Sequence, residues 1–361
     1  MKAKHVIACL LPALVSSSCI RKEAPNAEAD ILSCSLPDVE MTTSPIINNN
    51  SVTLFVGPGT DVSTLEPEFT LTPGATIDPA SGTVRNFESP QGYTVTAADG
   101  IWKKNYRVSV IDTELATDYS FEDTLGGKKY YIFVEREKGK VTMEWASGNA
   151  GYAMTGVAKT ADDYPTFQAT EGKTGKCLSL VTRSTGFFGS LVGMPIAAGS
   201  LFIGSFDVNN AMSKPLEATK FGLPFRHVPT FLAGYYKYKA GDKFTEGGKN
   251  VEGKRDICDI YAIMYETSES VPTLDGTNTF TSPSLVSVAR IDNAGETDEW
   301  TYFKLPFVTL PGRYIDKEKL KKGKYNLSIV FTSSLEGAYF NGAVGSTLLI
   351  DEAELVYHPE N

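Results

Sequence analysis

The chain predicts an all-β protein of two sandwiches, a small one followed by a larger jelly roll. Three observations carry this expectation. Apolar residues recur at every second position over short runs, turn residues punctuate those runs closely, and helical periodicity is almost absent. One-faced strands without βαβ spacing pair antiparallel and pack sheet on sheet. Of 361 residues, 42% are hydrophobic and 21% charged, enough for a sizeable core. The net charge of −9 argues against a nucleic-acid partner, whose phosphates demand a basic face.

In chain order, Met1–Lys4 is basic, Val6–Val15 is apolar apart from Pro12, and Ser16-Ser17-Ser18 leads into Cys19. The run is shorter than the roughly 20 apolar residues of a spanning helix. Residues 1–18 therefore read as a cleaved export signal. Small residues before a cysteine resemble a bacterial lipobox, which implies a lipid on Cys19. Ser16 stands where that motif has a larger aliphatic, so ordinary signal cleavage is the alternative. Cys19-Ile-Arg-Lys-Glu23 resembles the start of surface lipoproteins of gut Bacteroidota, which implies an outer-membrane anchor facing the surface or the periplasm. Residues 19–28 are polar and suit a tether.

Residues 29–112 read as short strands. Ser51–Val56 is β-branched and apolar, turn clusters follow at Gly57–Gly59 and Asp78–Gly82, and a hairpin spans Tyr93–Val110 around Asp99-Gly100. About 80 residues in this style make a small β-sandwich. The Thr76–Gly82 loop and the hairpin resemble bacterial Ig-like modules that precede glycan-handling domains, which implies a spacer.

Residues 113–361 form the second block. In 256–266 one face carries Cys258, Ile260, Ala262 and Met264, and the other carries Asp259, Tyr261, Ile263 and Tyr265. In 325–333 Tyr325, Leu327, Ile329 and Phe331 share the buried-looking face, opposite Asn326 and Ser328. Only Asp316–Lys322 reads as a helical turn or two. Some 245 residues of such strands suggest the jelly roll.

Cys34, Cys177 and Cys258 have no metal-type spacing. They read as buried thiols packing like small hydrophobes, with a Cys177–Cys258 bridge as the alternative. His227 is the lone histidine inside a domain, so a multi-histidine metal site is excluded and a Ser-His-Asp triad hangs on one loop residue.

Stacking and hydrogen bonding remain as recognition chemistry. Sugars present an apolar C–H face to aromatic rings and hydroxyls to polar side chains. Tyr236 and Tyr238 lie two apart on a strand, hence about 6.6–6.8 Å from each other. Tyr261 and Tyr265 lie opposite their strand's apolar face, and Trp145 and Trp300 stand beside turn residues. These six are the candidate stacking residues, with Arg183 and Lys237 as hydroxyl partners, although core packing competes for every tyrosine. Asp207, Asp256, Glu266 and Glu352 stand at strand ends, but nothing pairs any two as glycoside hydrolysis requires.

Gly193–Phe206, Lys220–Phe225, Gly234–Gly241, Asp259–Glu266 and Ile329–Glu352 resemble, in this order, the putative carbohydrate metabolism domain of Bacteroidota lipoproteins. The resemblance covers nearly the whole second block. It implies a jelly roll similar to carbohydrate-binding modules and a glycan role, with no catalytic residues to carry over. Ser120-Phe-Glu122 and Leu349-Ile-Asp351-Glu352 resemble the first and last strands of such jelly rolls. There the strands are neighbours whose acids, here Glu122 and Asp351, help hold a structural Ca²⁺. No other cofactor is expected.

The expected protein is tethered to a membrane by lipid alone and binds or handles an oligosaccharide or polysaccharide through its jelly roll, beside outer-membrane glycan-uptake partners. One alternative is a glycoside hydrolase with two carboxylates on the concave face. Another is a structural or adhesive surface protein with a broad apolar patch.

Overall fold

The structure is a computed structural model and describes residues 26–358. The expected signal, Cys19 and most of the tether lie outside the described residues.

The hairpin around Asp99-Gly100 is present. Gln91–Thr96 pairs antiparallel with Lys103–Ile111, and Tyr93 faces Tyr106. Gly100 takes φ +72°, and Asp99 Oδ1 accepts the backbone N–H groups of Ile101 and Trp102 at 2.8 and 3.2 Å. Ser51–Phe55 joins Lys103–Ile111 in parallel. Alternation could not announce this, because side chains alternate identically in both strand directions. Ile46–Ile47 and Thr76–Asp78 complete this five-stranded sheet, and Ile31–Ser35 pairs with Glu68–Leu71 in a second one. Val52, Leu54, Tyr93, Val95 and Val108 share one core with Ile31 and Cys34.

The larger domain is a jelly-roll sandwich. Its seven-stranded sheet runs Ala146–Ser147, Ser200–Phe202, Tyr325–Thr332, Asp259–Glu266, Leu285–Arg290, Val308–Thr309, with Leu223–Pro224 also on Tyr325–Thr332. Its six-stranded sheet runs Thr166–Ala169, Cys177–Val181, Thr347–His358, Val228–Lys239, Thr297–Pro306, with Asp118–Tyr119 also on Thr347–His358. First and last strands are therefore neighbours, with Tyr119 opposite Ala353. Leu201, Ile260, Ile329 and Phe331 from one sheet meet Leu178, Leu232, Ile350 and Leu355 from the other.

The expected parity of 256–266 holds for Ile260 and Ala262, which enter this core. The opposite face does not meet solvent directly. Tyr261, Ile263 and Tyr265 pack with Phe202, Phe221 and Leu274 in a second apolar layer. Asn326 and Ser328, expected on a polar face, are buried there. Asn326 Nδ2 donates to Tyr265 Oη at 3.1 Å, and Ser328 Oγ donates to the Ile203 carbonyl at 2.7 Å. Loops folding back over the seven-stranded sheet make this third layer.

The expected helix is Lys317–Lys321, capped by Asp316, whose Oδ1 accepts from the N–H groups of Glu318 and Lys319; Leu320 packs on Met264 and Tyr325. Three helices that the pattern did not announce lie in loops, at Asn149–Tyr152, Gly186–Leu191 and Pro215–Ala218. None completes two turns, so none could leave a 3.6-residue period. Cys34, Cys177 and Cys258 are all free and buried, which removes the Cys177–Cys258 alternative. Phe55 of the first domain inserts among the core residues of the second. Lys140–Asp112 at 3.2 Å and Arg107–Glu144 at 3.1 Å flank that contact.

Candidate functional site

The second apolar layer leaves an opening, a cleft of about 470 Å³ on the face of the seven-stranded sheet turned away from the sandwich core. That volume falls within the range of small-ligand sites. Adjacent strands supply its floor: Phe202, Asp259, Tyr261, Arg290, Val330 and Thr332. Loops supply the walls, and short-range polar bonds shape each of them. In the wall Leu274–Thr281, Asp275 Oδ1 accepts the Thr277 N–H, Asn278 Oδ1 accepts the Asp275 N–H, and Thr279 Oγ1 donates to the Asp275 carbonyl, all at 2.8–2.9 Å. Such Asx-type turns replace a regular ladder and here hold Phe280 over the floor. In another wall, Asp207 Oδ1 accepts the Asn209 N–H and Oδ2 accepts from Asn210 Nδ2, while Pro215 starts the short helix Pro215–Ala218.

The floor's chemistry centres on one ion pair, its carboxylate buried and its guanidinium partly exposed. Arg290 Nε and Nη2 donate to Asp259 Oδ1 and Oδ2 at 3.1 and 2.7 Å. The guanidinium lies 4.5 Å from the centre of the Phe280 ring and 5.8 Å from that of Tyr261, and the two rings are 5.0 Å apart. Burial pushes the Asp259 carboxyl above its ordinary value, against the opposing pull of Arg290. Arg290 Nη1 has no protein partner among the described residues. The arrangement can stack a ring on an aromatic corner and donate hydrogen bonds from a fixed guanidinium.

The structure separates the residues expected to share one site. Tyr261 alone lines the cleft. Tyr265, on the same strand face, is sealed in, its hydroxyl donating to the Phe221 carbonyl. Tyr236 and Tyr238 point into the sandwich core, and Trp145 does too. The Trp145 ring meets Tyr119 at 5.0 Å and Phe121 at 5.8 Å, and its indole N–H donates to Glu135 Oε1 at 2.8 Å. Packed in the core or beneath the loops, none of these four lines the cleft. Trp300 and Lys237 stand on the six-stranded sheet, 5.3 Å from ring centre to ammonium. Arg183 donates to the Asp162 carbonyl at 3.0 Å and does not line the cleft.

His227 stacks on Tyr357 at 4.3 Å, away from the cleft. Asp207 shapes a turn, Glu266 pairs with Lys319 at 2.6 Å, and Asp256 is buried in a hydrogen-bond knot. Asp259 is the one carboxylate lining the cleft among the described residues. Glu122 and Asp351 both serve the turn 172–176: Glu122 Oε1 accepts the Lys176 N–H at 2.7 Å, and Asp351 Oδ2 accepts the Thr174 N–H at 2.9 Å. Gly175 takes φ +63°, and a Cβ there would lie 2.1 Å from Glu122 Oε1, so a side chain would be strained and would displace that carboxylate. Among the described residues no three His, Cys, Asp or Glu side chains converge. This pair by itself does not supply the six to eight oxygens that calcium takes.

Sequence reasoning missed Phe280, Arg290 and Asp259 as a unit, and the apolar wall around Phe188. Phe280 and Phe188 sit in aperiodic segments, and the ion pair joins residues 31 apart in sequence. The Gly-bounded run Gly186–Gly193, apolar yet without a strand's alternation, was the available signal.

Residues 31–110 match the family model described as "SGBP, N-terminal". Residues 120–356 match the one described as "putative carbohydrate metabolism domain". No curated protein matches the chain. A solved structure from Bacteroides thetaiotaomicron VPI-5482, described as a putative glycoside hydrolase, is 82% identical over 94% of this chain and 100% of its own, with a TM-score of 0.90. Another so described, from Bacteroides vulgatus ATCC 8482, is 47% identical over 68% of this chain and 99% of its own, with a TM-score of 0.64. The chain belongs to the "putative carbohydrate metabolism domain" family.

Proposed function

We propose that the protein is a non-catalytic glycan-binding protein of the cell envelope and that the cleft is its glycan site. The observation that carries this reading is the aromatic corner of Tyr261 and Phe280 set beside the Arg290 guanidinium in one open cleft. The family's carbohydrate description and the SGBP-type first domain support it. Hydrolysis of a glycosidic bond by the usual route needs two carboxyl groups flanking the bond. The cleft has one, and both its oxygens are engaged by Arg290.

A glycan array of residues 26–358 followed by isothermal titration tests the reading. Phe280→Ala should weaken binding about five- to tenfold, the effect of losing a stacking contact, with the melting temperature unchanged because the ring is 41% exposed. Trp300→Ala, on the other sheet, should leave affinity intact. Unchanged binding in the first variant, or its loss in the second, would move the site elsewhere.

The envelope location rests on Cys19 following the small residues 16–18. In the full chain Cys19→Ala should shift the protein from the detergent phase to the aqueous phase on phase partitioning. Retention with the membrane would end the lipid-anchor proposal.

A further inference from the structure

The wall of the cleft formed by residues 154–157 and 186–192 is apolar far beyond what a sugar ring can use. The helix Gly186–Leu191 packs beside the turn Ala153–Thr155, and a Cβ on Gly186 would touch Val157. Together they raise a ledge of exposed apolar side chains: Met154, Val157, Phe187, Phe188, Leu191 and Val192. Phe187 is 85% exposed and Leu191 70%, whereas Met154, Phe188 and Val192 turn into the cleft itself. Contiguous exposed apolar groups cost solubility and mark contact surfaces. Acidic and basic side chains are absent from this ledge, and among the described residues the cleft's only charges are the mutually paired Asp259 and Arg290.

A pyranose offers one modest C–H face and a ring of hydroxyls that must be satisfied when buried. The floor, with Tyr261, Thr332 and the spare Arg290 nitrogen, and the wall above it, with Thr277 and Phe280, answer that need. The ledge's two hydroxyls are already engaged, Thr155 Oγ1 donating to the Tyr152 carbonyl and Ser190 Oγ to the Gly186 carbonyl, so its exposed side chains offer a sugar only apolar contact. One continuous cleft with a polar, aromatic floor and an apolar wall fits an amphipathic molecule. Its volume of about 470 Å³ suits a small molecule rather than a protein segment lying across a flat surface.

We propose that the cleft takes a saccharide bearing an apolar substituent, such as an acyl ester or an aryl or alkyl group. The sugar lies on Tyr261, Phe280 and Arg290, and the substituent lies along Met154, Phe188 and Val192. This rests on the glycan reading above and narrows it to a ligand class.

Matched methyl and octyl β-glycosides of glucose, galactose, xylose and N-acetylglucosamine, with 1-octanol as the sugar-free control, provide the test on residues 26–358. All are used below micelle-forming concentrations. For at least one sugar the octyl glycoside should bind about tenfold or more tightly than its methyl twin, since each buried methylene contributes about fourfold. It should also bind about tenfold more tightly than octanol, because the stacked sugar adds its own contacts. Phe188→Ser combined with Leu191→Ser should erase most of the octyl advantage and leave the methyl glycoside's affinity and the melting temperature unchanged.

Equal affinity for octyl and methyl twins would overturn the proposal while leaving the glycan reading in place. Octanol binding as tightly as the octyl glycosides would overturn it in favour of a lipid site. Concentration-dependent dimerisation abolished by the serine substitutions would overturn it in favour of a second copy. No binding by any glycoside, together with an empty glycan array, would overturn both readings.

Discussion

Asp256→Ala should destabilise the larger domain by about 4 kcal/mol, read as a lowered urea midpoint of residues 26–358. Asp256 is 1% exposed. Its Oδ2 accepts from Ser334 Oγ at 2.6 Å and from Ser346 Oγ and the Ala343 N–H at 2.7 Å, and its Oδ1 accepts the Ile257 N–H at 3.0 Å. The bonds continue outward: Thr182 Oγ1 lies 2.6 Å from Ser334 Oγ and 2.8 Å from Ser333 Oγ, Ser333 Oγ accepts the Gly199 N–H, and Ser346 Oγ accepts the Gly241 N–H. Thr182 follows a strand of the six-stranded sheet, and Ser333 and Ser334 follow one of the seven-stranded sheet. The carboxylate therefore ties both sheets together beside the cleft.

A Cβ on Gly342 would fall 2.7 Å from Ser334 Oγ, so the knot leaves no room for even an alanine there. Removing the carboxylate strands the three buried donors to Oδ2, besides the part-buried Ile257 N–H, at about 1–3 kcal/mol each before the hydroxyls rotate to new partners. Asp256→Asn keeps one acceptor and should cost about half as much. Because Ser334 and Leu335 line the cleft, glycan affinity should fall with stability in the alanine variant. A cost below about 1 kcal/mol would mean that water replaces the carboxylate without loss.

Glu135→Gln should stabilise the protein by about 3 kcal/mol at pH 8 and by almost nothing at pH 4. Burial pushes the Glu135 carboxyl up to about 7 from an ordinary 4.5; the Trp145 indole bond pulls it down, and the nearby Asp123 and Asp118 push it further up. Below pH 4.5 the group is protonated in both folded and unfolded chains and contributes no difference. Between 4.5 and about 7 the unfolded chain releases the proton while the folded one holds it, so stability falls as pH rises through that window. Above about 7 the loss is complete. Glutamine stays neutral and keeps an oxygen for the indole N–H, so its advantage should open across this window. Urea midpoints of both proteins at pH 4, 6 and 8 measure it. A difference that did not grow with pH would show that Glu135 is ionised in the fold at no cost.

Much of the architecture was legible in the residues. Alternation in 256–266 sorted Ile260 and Ala262 from Tyr261 and Tyr265, and the sandwich keeps that sorting. Asp99-Gly100 announced its hairpin, and scarce helical periodicity announced two all-β domains. The site was legible at one residue only, Tyr261. Trp145, read as a stacking residue because turn residues stand beside it, lies in the core among Tyr119, Phe121 and Phe331. Neighbouring turn residues say nothing about what packs across the sandwich.

The residues alone determined the period of each strand, hence which side chains share a face, because a strand's geometry is local. They also carried too few histidines for a multi-histidine centre. Only the tertiary structure decided that Trp300 and Tyr261 stand on different sheets, and that loops seal Tyr265 away while Tyr261, 7% exposed, still reaches the cleft floor. It alone brought Arg290 beside Asp259 and Phe280, and the ledge of residues 154–192 beside them. Those placements depend on contacts between residues far apart in the chain. A two-residue period carries no record of its partners across the sandwich or of the loops that settle over it.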